Sequence, residues 1–194
     1  MRLFIPKYNF KVLEEQLLST IEVLDRNYIT YHLEGGTLLG IVRDDCLLPW
    51  DHDTDISIMA EDIDKLFQCL PEIKKKWRVT IKKFKEVHDF STSTPYRILK
   101  VKDRHLHFLA GANTLDIFVK HTKDSQTFWQ AVGNIMSVDS KHYDGYDTIS
   151  WKGKELKAPR FHKEYLTKKY GDWSIPVKDW HCSMEKTVVK KNGA

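Results

Sequence analysis

The chain has 194 residues, 41% of them hydrophobic and 30% charged, the balance of a globular domain with one sizeable core rather than of a disordered segment. No run approaches the roughly 20 consecutive apolar residues that span a bilayer, and Met1-Arg2-Leu3-Phe4-Ile5-Pro6-Lys7 lacks the apolar region and small-residue cleavage site of a secretory signal, so a cytoplasmic setting is expected. The net charge of +4 is mild, and three widely spaced cysteines, Cys46, Cys69 and Cys182, fit neither a disulfide framework nor a zinc motif and read as reduced thiols.

In chain order, Val12, Leu13, Leu17, Leu18, Ile21 and Leu24 fall at helical spacing and predict a helix over 10–27. Ile29-Thr30-Tyr31-His32-Leu33 is a short β-branched and aromatic run. Gly35-Gly36 breaks that pattern as a turn, and Thr37 to Val42 reads as a short helix. Ile56-Ser57-Ile58-Met59 predicts a buried strand. Residues 61–76 are helical, with Ile63, Leu66, Phe67 and Leu70 on one face and an interruption expected at Pro71. Further strands are predicted at Val79 to Ile81, Arg97 to Val101, His105 to Leu109 and Leu115 to Val119. A hairpin joins Tyr146 to Trp151 with Lys154 to Leu156 across Lys152-Gly153, and a last helix runs from Arg160 to Tyr170 and stops at Gly171. There is no internal repeat, low-complexity segment or linker. The expected fold is α+β, a mixed sheet with packed helices in a single domain over 1–194, with its core at about 28–176 and a disordered tail at about 184–194.

The basic runs Lys74-Lys75-Lys76-Trp77-Arg78, Lys82-Lys83-Phe84-Lys85 and Lys186…Lys190-Lys191 read as a helix end, a charged edge strand and a terminus. No nucleic-acid-binding module accompanies them, so nucleic acid is not an expected partner. A basic rim of this kind equally suits an anionic substrate or peripheral contact with an acidic membrane surface.

The informative segment is Trp50-Asp51-His52-Asp53-Thr54-Asp55-Ile56-Ser57-Ile58. Asp53 and Asp55 are two residues apart at the entrance to an apolar strand, which puts both carboxylates on one face, roughly 6–7 Å apart along the chain. They repel one another unless a cation neutralises them, and oxygen-only ligands favour Mg²⁺ or Mn²⁺ over zinc. An Asp-rich loop that merely caps a strand is the ordinary alternative. It is weakened by two companions. Gly35-Gly36-Thr37 lies between a strand and a helix, where backbone N–H groups can approach phosphate. Asp116 stands alone within Leu115-Asp116-Ile117-Phe118-Val119, where a charge needs a metal, a hydrogen bond or an ion-pair partner. Arg43 is either a phosphate ligand or a surface charge on a helix end, and Lys100 and Lys120 read as sheet-edge charges. Tyr170, Trp173 and Trp180 read as packing residues. Asp172 is divided between a turn and a functional role, and His105 and His107 alternate on one strand without a third metal ligand.

The Gly-Gly turn, the Asp-x-Asp pair and the later Asp resemble the nucleotidyltransferase superfamily. Gly36-Thr37-Leu38-Leu39-Gly40-Ile41-Val42-Arg43 followed by Leu48-Pro49-Trp50-Asp51-His52-Asp53-Thr54-Asp55-Ile56 resembles its LicD / fukutin-related protein branch, as do Tyr165-Leu166 and Tyr170-Gly171-Asp172-Trp173. Residues 60–110 carry no matching motif. The resemblance implies a nucleotidyltransferase-like fold and transfer of phosphocholine, or a related phospho-alcohol, from a CDP-linked donor to a glycan or lipid-linked glycan hydroxyl. It implies that Asp53 and Asp55 hold the metal and that Asp116 completes the site and activates the acceptor. The residues placed to meet the donor phosphates are Gly35, Gly36 and Thr37 at the helix start, with Arg43 still open between that role and a surface one. His52 stands where the family usually has another Asp. Two rivals remain open: a nucleotidyltransferase acting on a small molecule, and an inactive nucleotide-binding module.

Overall fold

The computed structural model describes residues 8–105, 109–178, 180–181 and 184–190. The first helix, α1 (Phe10–Arg26), starts where the Asn9 side chain accepts the Lys11 N–H, and it buries Leu13, Leu17, Ile21 and Leu24 along one stripe. Then follow β1 (Tyr31–Leu33), α2 (Gly35–Asp44), β2 (Asp53–Met59), a 3₁₀ turn and α3 (Ile63–Lys76). The second half holds β3 (Arg78–Lys83), β4 (Tyr96–His105), β5 (Leu109–Lys123), β6 (Gln126–Ala131) and β7 (Asn134–Asp139). After these come β8 (Tyr146–Trp151), β9 (Lys154–Pro159), α4 (His162–Tyr170) and β10 (Val188–Lys190).

The main sheet runs β1-β2-β5-β6-β7-β10, with β4 added to β5 and β3 to β4, while β8 and β9 form a separate hairpin. Every pairing is antiparallel except β2 with β5. That parallel pair needs a long crossover, which α3, β3 and β4 supply. The strand period of two then sorts the residues. Ile56, Ile58, Leu115, Ile117 and Val119 enter the core together with the α1 stripe and Leu66, Leu70 and Ile73 of α3. Asp53, Asp55, Ser57, Asp116 and Lys120 occupy the alternate positions.

The α+β character, the mixed sheet and the hairpin across Lys152-Gly153 are as expected. Several local expectations are corrected. Gly35-Gly36 is the first turn of α2 rather than a loop before it, and β2 begins at Asp53 instead of Ile56. Pro71 lies inside α3 without ending it, because Leu66, Leu70 and Ile73 stay buried on both sides of it. The strand expected at His105 to Leu109 divides: His105 closes β4, Leu109 opens β5, and residues 106–108, including His107, lie outside the described residues. The tail expected to be disordered carries β10 on β7, with Ser137 N–H donating to the Thr187 carbonyl at 2.9 Å. Residues 191–194 lie outside the described residues. Cys46 and Cys69 are free thiols, whereas Cys182 is not among the described residues. No helix among the described residues is long and apolar enough to cross a membrane.

Lys152 (φ 50°) and Gly153 (φ 72°) both take left-handed conformations, the geometry that suits a two-residue hairpin turn. A Cβ on Gly153 would meet nothing within 4 Å, so only backbone strain opposes it. Gly153→Ala should therefore lower stability by about 1–2 kcal/mol in chemical denaturation; an unchanged midpoint would show that the turn tolerates a side chain.

Candidate metal centre

Asp53 and Asp55 project from the same face of β2, and the parallel register sets Asp55 directly opposite Asp116 on β5. One carboxylate oxygen from each of Asp53, Asp55 and Asp116 lies within 4.8 Å of the others, and no other group of three or more such ligands converges among the described residues. A fourth carboxylate, Asp51, adjoins Asp53. Burial, then the neighbouring Asp51 charge, pushes Asp53 up to about 7. Burial followed by the charges of Asp53 and Asp116 raises Asp55 well above the usual carboxylate range. Asp116 is also raised by burial, against the pull of Lys100, whose ammonium donates to its two oxygens at 2.6 and 2.9 Å. One buried and two half-buried carboxylates sharing one ammonium fit a hard divalent cation bound through oxygen, the donor set of Mg²⁺ or Mn²⁺.

The backbone around the triad is tightly constrained. Gly35 (φ +55°) packs so closely on Asp55 that a Cβ would overlap the Asp55 carboxylate, and a Cβ on Gly36 would overlap that of Asp51. The glycines therefore admit the start of α2 to the acidic strand. Thr37 is buried, and its Oγ1 accepts the Asp55 N–H at 2.8 Å, so it acts on the site through Asp55. Arg43 makes a two-pronged pair with Asp44 at 2.7 and 2.9 Å and reaches the Trp173 carbonyl at 3.3 Å.

Arg43, Gly36 and Asp51 also line a cleft walled by Trp50, Tyr170, Trp173 and Trp180. Tyr170 and Trp173, read as packing residues, do pack against the core, and together with Trp180 they also form a half-buried wall of the cleft, with Tyr170 and Trp180 edge to face at 5.1 Å. Lys178 Nζ rests 5.8 Å from the centre of the Trp50 ring. Asp172 sits in a turn, where its Oδ1 accepts the Ser174 hydroxyl at 2.6 Å, and it lines the cleft. His52 is exposed and stacks on Tyr8 at 4.0 Å, and its N–H donates to Asp51.

The sequence gives little notice of Glu34, which is 1% exposed. Its Oε1 accepts from Ser57 Oγ at 2.9 Å and the Tyr143 hydroxyl at 2.6 Å, and its Oε2 accepts from the Tyr165 hydroxyl at 2.6 Å. Lys120 Nζ lies 3.2 Å from Oε1 and Lys169 Nζ 4.0 Å from Oε2. Burial alone would raise the Glu34 pKa, but the two ammonium groups and the hydroxyl donors outweigh it and bring it to about 2. Lys120, driven down to about 7 by burial, also sits 3.2 Å from the centre of the Trp129 ring. Lys100 and Lys120 are thus not plain sheet-edge charges. Each pairs with a carboxylate, and Lys120 is wholly buried.

The LicD/FKTN/FKRP nucleotidyltransferase-domain family matches residues 28–161, the part of the chain that contains Asp53, Asp55 and Asp116. The chain belongs to that family. Among individual relatives, an uncharacterized protein of Rickettsia typhi is 34% identical over 119 residues, which make up 58% of this chain and 32% of that protein. Ribitol 5-phosphate transferase FKRP of Homo sapiens is 38% identical over 58 residues, 30% of this chain and 12% of that protein. The chain therefore spans about a third or less of the length of these relatives. The solved structure of ANT(2″)-Ia in complex with adenylyl-2″-tobramycin aligns with a TM-score of 0.45 at 12% identity, over 88% of this chain and 83% of that one.

The raised carboxylates make the metal-free protein sensitive to pH. A carboxyl whose folded pKa exceeds its unfolded value of about 3.9 favours folding below that value, and the benefit is lost as pH rises through the folded pKa. For Asp53 the window runs from about 4 to about 7. Buried His32 and His121, both lowered by burial, act in the opposite direction below about 6.5, so the comparison with Asp53→Asn isolates the triad. Metal-free wild type should lose thermal stability relative to Asp53→Asn between pH 5 and about 7.5, and saturating Mg²⁺ should remove the difference. Parallel pH profiles for the two proteins without metal would refute the charge crowding.

Proposed function

We propose that the chain is a divalent-cation-dependent phosphotransferase. It moves phosphocholine or a related phospho-alcohol from a CDP-linked donor to a hydroxyl of a glycan or lipid-linked glycan. The observation that carries the proposal is the convergence of Asp53, Asp55 and Asp116 on one sheet face of a LicD-family domain. Asp53 and Asp55 would hold Mg²⁺ or Mn²⁺ with Asp116. A divalent cation there supplies charge neutralisation to the donor phosphates and the attacking oxygen.

The protein's own contribution is to position and deprotonate. Asp116 would take the proton of the acceptor hydroxyl on a carboxylate oxygen. Burial raises its pKa and so strengthens it as a base, while the Lys100 ammonium pulls the other way. The cleft next to Gly36 and Asp51 would receive the donor, with Arg43 near its phosphates and the aromatic wall excluding water. Peripheral contact with a membrane surface is part of the same proposal, consistent with a basic chain of net charge +4.

The test is product analysis with CDP-choline, CDP-ribitol, CDP-glycerol and nucleoside triphosphates in Mg²⁺. Release of CMP supports phospho-alcohol transfer. Release of pyrophosphate from a triphosphate, without CMP, would replace it with nucleotidyl transfer, and a flat Mn²⁺ titration would indicate an inactive module. Asp53→Asn and Asp55→Asn should each abolish transfer with the fold intact by circular dichroism. Asp116→Asn should cut turnover by about 10²–10⁴-fold while leaving the metal-free protein at least as stable, because Lys100 is 28% exposed and can turn to water. Marked destabilisation of metal-free Asp116→Asn would make its pairing with Lys100 structural.

A further inference from the structure

We infer that Glu34 is a positioning residue for the metal centre: its fully bound carboxylate locks the peptide that leads into Gly35 and so sets the orientation of the Asp55 carboxylate. The inference rests on the reading of Asp53, Asp55 and Asp116 as cation ligands.

Every polar atom of Glu34 is committed. Its N–H donates to the Asp55 carbonyl at 3.0 Å, and its own carbonyl accepts the Leu38 N–H at 2.9 Å. Its carboxylate takes three hydroxyl donors and faces two ammonium groups. These partners come from β2, α2, β5, α4 and the segment just before β8, so Glu34 is where those parts of the fold are tied together.

A buried ion with this many partners is not an economical way to stabilise a core, since apolar side chains of similar volume often do as well or better. What it supplies is a fixed position. The adjacent Gly35 backbone lies against the Asp55 carboxylate with no room for even one added carbon. A small shift of the turn therefore passes directly to that ligand. Glu34 itself is enclosed and does not line the cleft, so its influence runs through Gly35 and Asp55 rather than through contact with substrate.

Lys169 extends the same device to the cleft. Its ammonium lies between Glu34 and Glu185, 4.0 and 3.4 Å away, while the next residue, Tyr170, forms part of the aromatic wall. The end of α4 is thereby anchored to the residue that precedes the Gly-Gly turn.

The experiment is Mn²⁺ binding by calorimetry, well below the melting transitions, on wild type, Glu34→Gln, Tyr165→Phe and the core variant Leu17→Ala. Glu34→Gln keeps the shape and removes the charge, and its Kd for Mn²⁺ should rise about 10-fold or more, the usual effect of losing a group that orients metal ligands. Tyr165→Phe removes one donor and should raise Kd about threefold. Leu17→Ala should melt earlier yet bind Mn²⁺ like wild type, because its loss is confined to core packing. A wild-type Kd in folded Glu34→Gln overturns the inference. If that variant does not fold, an unchanged Kd in Tyr165→Phe overturns it instead. Failure of wild type to bind Mn²⁺ sinks the cation reading itself, and this inference with it.

Discussion

Across three neighbouring strands a single register line carries Asp55, Asp116 and Lys100, and the charge concentrated on that line governs what surrounds it. Parallel pairing of β2 with β5 forces the two carboxylates side by side. Antiparallel pairing of β4 supplies one ammonium on the far flank. One positive charge cannot offset Asp53, Asp55 and Asp116 together, and partial burial limits their hydration. The remainder is what a divalent ion would balance. The ion pair and the metal ligand, alternatives when Asp116 is read from its strand alone, are compatible because Lys100 and the acidic residues approach from opposite sides.

The acidic cluster was legible because it follows short periods. Asp-x-Asp at the head of an apolar run has only one way to sit on a strand, and Asp116 is conspicuous as a charge among Leu115, Ile117 and Val119. Lys152-Gly153 advertises its turn because glycine accepts a positive φ. The β6–β7 hairpin gives no such notice: it turns at Val132 (φ 47°) and Gly133 (φ 87°), and a β-branched residue is a poor marker for that conformation. Asp124-Ser125, which also adopts positive φ between β5 and β6, is equally quiet. Glu34, Lys120 and Lys169 were hidden for a different reason. A lysine or glutamate is ordinarily a surface residue, and only the convergence of distant segments takes these three out of water. Similarly, Gly35-Gly36 announced close approach but not that its first object is a pair of carboxylates, those of Asp55 and Asp51.

The closing segment of the chain joins the two halves of the site. Lys169 and Tyr170 are consecutive residues in the last turn of α4, one turned into the buried charge network and the other into the cleft wall. Gly171 (φ 79°) then ends the helix, and the chain returns so that Lys186 N–H donates to the Lys169 carbonyl at 3.2 Å. The cleft is therefore walled by a segment fastened at both ends, before it at α4 and after it at Glu185 to Lys190.

The long strand β5 is bonded along residues 114–118 to β2 on one edge and β4 on the other, whereas β3 and β10 each have one paired edge. Local fraying begins at such borders and reaches a doubly paired interior strand only when the whole sheet opens. Amide hydrogens around Asp116 should consequently be among the last to exchange with solvent. The acidic cluster is built on the slowest-breathing part of the sheet, so its spacing persists through the partial openings that loosen the edge strands.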